Sequence, residues 1–142
     1  MNKDYLSPYD ESVDFTPHLA AFSRKSFVFR RHQTEAGQSG PAYASIFSGA
    51  QADRHQVYTL PTRLRDDVYV MAEAFAEAGY ETFYWVGHPA ASAALNYHQG
   101  VADGNTVNGY LRASNPRFLE ILRRLASDED YKAFVVTTPV LT

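Results

Sequence analysis

Apolar residues along the chain switch between two periods. Val68, Met71, Ala72, Phe75 and Ala76 follow an i, i+3, i+4, i+7 spacing, which lines one face of an α-helix. Asp66-Asp67 precede that run and Gly79 follows it. The pattern predicts a helix over 67–78, with acids capping its positive end and a left-handed glycine stopping it. Phe118, Ile121, Leu122 and Leu125 repeat the spacing behind Asn115-Pro116, an N-cap followed by a first-turn proline. Thr16-Pro17 opens a further helix, where Leu19 and Phe22 are expected to share one buried face and His18 to lie at the surface. Ser39-Gly40-Pro41 opens a small-residue helix over 40–48 that ends at Gly49.

Between these helices the pattern changes to runs of strand formers. Glu81 to Val86 ends at Gly87-His88-Pro89, and Lys132 to Thr138 ends at Pro139. Ser26 to Arg31 reads as a short strand with Phe27 and Phe29 on one side. A helix followed within two residues by a strand implies an α/β crossover and hence a parallel sheet flanked by helices. Residues 1–15, 51–61 and 100–114 are polar or turn-rich and are expected to be irregular connections. One domain over 1–142 is expected.

Composition narrows the function classes. The 142 residues are 45% hydrophobic and 20% charged, as in an ordinary globular protein. A net charge of −3 gives no electrostatic basis for binding nucleic acid or an anionic membrane. With no cysteine there is no disulfide, thiolate metal site or cysteine nucleophile. No apolar run reaches the roughly 18 residues a membrane span needs, and no signal-peptide core stands at the start.

Candidate chemistry centres on Ser39. A polar loop leads into it and a helix leads away, so its hydroxyl lies where free N–H groups and the helix dipole attract anions. It can cap the helix, or attack an ester held by those donors. His88, beyond the carboxyl end of a predicted parallel strand, is the best placed of the five histidines. Asp103 and Asn105 offer oxygen ligands without the spacing of a calcium loop.

This order of elements resembles the amino-terminal part of the sulfatase family, in the alkaline-phosphatase-like superfamily. Thr16-Pro17-His18-Leu19-Ala20-Ala21-Phe22-Ser23 is similar to the family's TPNLDALA segment. Ser39-Gly40-Pro41 through Ser48-Gly49 is similar to its nucleophile segment. Leu60-Pro61 and Gly79-Tyr80-Glu81-Thr82 resemble the stretches flanking its next helix. The resemblance implies an α/β, partial alkaline-phosphatase-like domain that hydrolyses small sulfate or phosphate esters. It implies Ser39 as nucleophile and metal ligand, the amides of Gly40 and Ala42 as anion donors, and His88 as proton donor. Tyr43 stands where the sulfatase signature has Arg, so Ser39 is expected to remain an unmodified serine. The family's divalent metal (calcium or magnesium, with zinc or manganese as alternatives) uses paired acids that would precede Asp4 and follow Thr142. The chain is therefore expected to be truncated, to hold the ion weakly and to be inactive alone. Phosphoethanolamine or phosphoglycerol transfer, or a non-catalytic α/β binding module, are the alternatives.

Overall fold

The computed structural model describes residues 3–138. The described residues up to Thr34 form one compact unit, and those from Glu35 onward form a second, larger one.

The described residues of the first unit form one α-helix, α1 (Pro17–Ser23), with Pro17 in its first turn, and a single 3₁₀ turn, Lys3–Tyr5. Thr16 precedes it, but its hydroxyl oxygen accepts from the Ser7 amide at 2.9 Å instead of capping. Leu19 and Phe22 are exposed, contrary to the buried face expected of them, and Phe22 is 70% accessible. They line an open apolar cleft of about 460 Å³ with Phe27 and Phe29. His18 is exposed, as expected. The strand expected over 26–31 does not form: residues 27–29 belong to no strand. Strand structure needs a neighbour for its N–H and C=O groups, and alternation alone does not supply one.

The second unit is built on a parallel three-stranded sheet of order β2-β1-β3: β1 (Glu81–Trp85), β2 (Thr106–Val107) and β3 (Ala133–Thr137). Tyr84 pairs in register with Thr106 and Val136. Alternation along β1 sends Tyr84 one way and Phe83 and Trp85 the other. Tyr84 joins a core with Ala44 and Phe47 of α2 (Ser39–Ser48) and Ala72 of α4 (Met71–Glu77). Phe83 and Trp85 pack with Ile121 of α5 (Pro116–Ser127) on the opposite face. Helices thus cover both faces, as parallel sheets require.

α5 follows the expected design. The Asn115 carboxamide oxygen accepts from the Arg117 and Phe118 amides, and Pro116 starts the helix. Ile121 is buried and Phe118 half-buried, whereas Leu122 and Leu125 remain exposed. α4 is shorter than expected. It starts at Met71, where the Glu73 carboxylate accepts from the Val70 amide at 2.8 Å. Asp66 and Asp67 do not cap it; they pair with Arg63 and Arg65. The 51–61 connection contains a one-turn helix, α3 (Ala52–His55), and the 100–114 loop contains β2. Asn105 in that loop is buried: its amide donates to the Thr82 carbonyl at 2.9 Å and its oxygen accepts from Arg117 at 3.1 Å.

Candidate functional site around Ser39 and His88

The first turn of α2 sets the geometry. Gln38, not Ser39, is the capping residue, with an extended backbone (φ −120°, ψ 147°) and its side-chain oxygen accepting from Thr59 at 3.3 Å. Ser39 becomes the first helical residue, and its exposed hydroxyl caps nothing. The Ala42 amide donates to the Gln38 carbonyl at 3.2 Å, so it belongs to the helix ladder. Pro41 has no N–H. The amides the helix leaves over at this end are those of Ser39 and Gly40.

Gly40 is gripped. A Cβ there would lie 2.7 Å from Leu60 Cδ2, and its carbonyl accepts from the Tyr97 hydroxyl at 3.0 Å. Tyr97 is buried, and burial pushes its phenol up to about 12.

One turn beyond Ser39 stands Tyr43, on the same side of the helix by the i, i+4 rule. Its ring stacks on Phe47 at 5.9 Å and meets the His88 ring at 6.1 Å. His88 follows β1 and precedes a single 3₁₀ turn, Pro89–Ala91. Its Nδ1 accepts from the Ala90 amide at 3.2 Å, so the neutral ring carries its proton on Nε2. That ring borders a cavity of about 330 Å³ at the carboxyl ends of β1 and β2, with Ser92, Asn108 and Tyr110. Ligands of parallel α/β sheets bind in this position. The structure therefore brings His88 to the side chain one turn from Ser39.

The acids lie elsewhere. Hydrogen bonds from Arg63 and Arg65 hold the carboxyls of Asp66 and Asp67 below their ordinary range. Asp103 and the run Asp128-Glu129-Asp130 are exposed. Among the described residues no three His, Asp or Glu side chains gather closely enough to hold a metal ion. Ser39 has no such partner set, so the described residues around it do not fit the metal.

A serine–histidine pair in the core, Ser45 and His55, was not legible in the sequence. His55 is fully buried at the end of α3, and its Nε2 faces the Ser45 hydroxyl at 3.0 Å. The Val57 amide donates to Nδ1 at 3.0 Å, which puts the proton on Nε2 and makes Ser45 the acceptor. The bond runs opposite to that of an activated serine. Burial lowers the pKa of this imidazole, against the opposing charges of Asp53 and Glu35. Tyr97 carries no signal at all, as one tyrosine among ten.

A parallel sheet with helices on both faces, and a serine-led helix packed beside the carboxyl end of its central strand, define an α/β domain. The chain belongs to the sulfatase family, whose model, described as Sulfatase, matches residues 1–136. Among solved structures it is similar to the phosphonate monoester hydrolase of Agrobacterium radiobacter, with 22% identity and a TM-score of 0.58. The match covers 89% of this chain and 27% of that one. No curated protein sequence matches the chain. The family implies a divalent metal and small-molecule ester substrates. Among the described residues no helix is long and apolar enough to cross a membrane.

Proposed function

We propose that the chain carries the nucleophile-bearing segment of a sulfatase-like hydrolase acting on sulfate or phosphate monoesters. The observation that carries this reading is the placement of Ser39, exposed on the first turn of α2, with Tyr43 one turn along touching His88. The Ser39 and Gly40 amides donate to a non-bridging oxygen of the ester, where the helix dipole favours negative charge. The Ser39 oxygen bonds to phosphorus or sulfur as the bond to the ester oxygen breaks, and the serine proton passes to that leaving oxygen. His88 donates a hydrogen bond from Nε2 to the same oxygen and holds it for the proton, and water then hydrolyses the seryl ester. Tyr43 in place of Arg favours an unmodified serine, and with it the phosphoryl side of the family's chemistry.

Anion binding tests this directly. Titration with inorganic phosphate, followed by amide NMR, is expected to shift the Ser39, Gly40 and Tyr43 resonances first. The Ser39→Ala variant is expected to bind more weakly at the same amides. Shifts that bypass the first turn of α2, or none at millimolar phosphate, would overturn the reading.

A further inference from the structure

We infer that Tyr97 is a positioning residue for the Ser39 turn, holding the first turn of α2 so that its two leftover amides and the Ser39 hydroxyl share a fixed direction. This rests on Ser39 being the reacting end of that helix. Helix ends fray unless something ties them, and α2 begins without a side-chain cap. Tyr97 supplies the tie from the loop after β1. Its hydroxyl donates to the Gly40 carbonyl at 3.0 Å, and its ring packs on Phe47, two turns further along the same helix, at 5.6 Å. One buried side chain therefore bears on α2 at both its first and its last turn.

Tyr97 is itself held. Asn96, in a left-handed conformation (φ 68°), donates through Nδ2 to the Leu64 carbonyl at 3.0 Å and to Asp66 at 2.8 Å. On the far side of Gly40 stands the Leu60 side chain, too close for any Cβ. Phenylalanine would fill the same space without burying a hydroxyl, which costs free energy when unpaired. The hydroxyl is paired, and its partner is the carbonyl next to Ser39. Helix geometry already provides that carbonyl with an amide from within the ladder. What the phenol adds is direction. With its titration raised by burial, the group remains a donor across the neutral range.

The test uses the full chain with Tyr97→Phe, which removes only the hydroxyl, beside Phe47→Leu, which loosens the same packing and leaves the hydrogen bond. Amide hydrogen exchange is read residue by residue over α2. Tyr97→Phe is expected to speed exchange at Ala42 and Tyr43 by about tenfold, the scale of one lost hydrogen bond, while Phe47 and Ser48 stay at the wild-type rate. Phosphate affinity at the Gly40 amide is expected to fall by roughly the same factor. Phe47→Leu is expected to speed exchange evenly along the helix. An even rise in Tyr97→Phe, or no change at Ala42 and Tyr43, would overturn the positioning role. If the wild type binds no phosphate, the Ser39 reading fails, and the exchange pattern still decides whether Tyr97 holds the turn.

Discussion

The His55 imidazole donates to the Ser45 hydroxyl at 3.0 Å, and the Val57 amide fixes the direction of that bond by occupying Nδ1. The pair joins α2 to α3 inside the core, and it has a pH dependence. Burial lowers the folded-state pKa of His55 below the value of about 6.5 of the unfolded chain. Below that unfolded value the unfolded state binds the proton and the folded state does not, so stability rises with pH there. Folding free energy is expected to be complete above pH 7 and to decline as pH falls through 6.5. Urea midpoints measured between pH 5 and 8 check this. In His55→Gln the His55 part of that slope is expected to disappear.

Ser45 is expected to be inert chemically. Because it accepts from His55, Ser45→Ala should leave phosphate binding at the α2 terminus unchanged while costing about 1 kcal/mol of stability. Denaturation and the NMR titration, run on the same sample, separate the two effects.

Ser39 is expected to stay a serine in the protein made in its own host, with Tyr43 in the place of the signature arginine. Peptide mass spectrometry reads this at once. A loss of two hydrogens at residue 39 would refute it and move the chemistry to the sulfate side.

Gly100 is the least replaceable glycine of the chain. At φ +75°, a Cβ there would lie 2.3 Å from the Glu73 backbone nitrogen and 2.6 Å from its Cα, in the first turn of α4. Neither backbone atom can swing aside. Gly100→Ala is expected to cost on the order of 3 kcal/mol. Gly37→Ala, with nothing within 4 Å, is expected to fall within about 0.5 kcal/mol of wild type. Chemical denaturation of both variants checks the contrast.

Asn115→Ala removes the one acceptor that serves two amides at the start of α5. A loss of about 1 kcal/mol is expected, and Asn115→Asp should recover most of it. Thermal unfolding at neutral pH gives both numbers.

What could be read from the sequence follows from how local each cause is. α5 was legible because Asn115, Pro116 and the apolar spacing all act within one or two turns. β1 and β3 were legible as unbroken runs of strand formers, and their parallel pairing followed from the helix-to-strand spacing. The 26–31 segment has the same alternation as a strand, but alternation does not provide the neighbour that makes one. Asp66-Asp67 read as helix caps because acids before an apolar run usually are. Arg63 and Arg65, three and two positions away, claimed them instead. At the candidate site, the position of Ser39 at the start of α2 and of His88 after β1 could be read locally. That Gln38 and not Ser39 is the capping residue could not, since Gln38 is held by Thr59, 21 residues on. Tyr97 reaches Gly40 across 57 residues of sequence. No window of local pattern spans that distance.

The central strand also dictates how the chain acquires its structure in time. β1 pairs with β3 in the register Glu81 to Ala133, and both cores meet on β1. A parallel neighbour cannot be reached by a tight turn, so a long loop must close before the pairing returns any stabilisation. During synthesis the ribosome releases α2, α4 and β1 well before residue 137. Until then the buried faces of Phe83 and Trp85 lack part of their cover, and the nascent chain is exposed to aggregation over that interval.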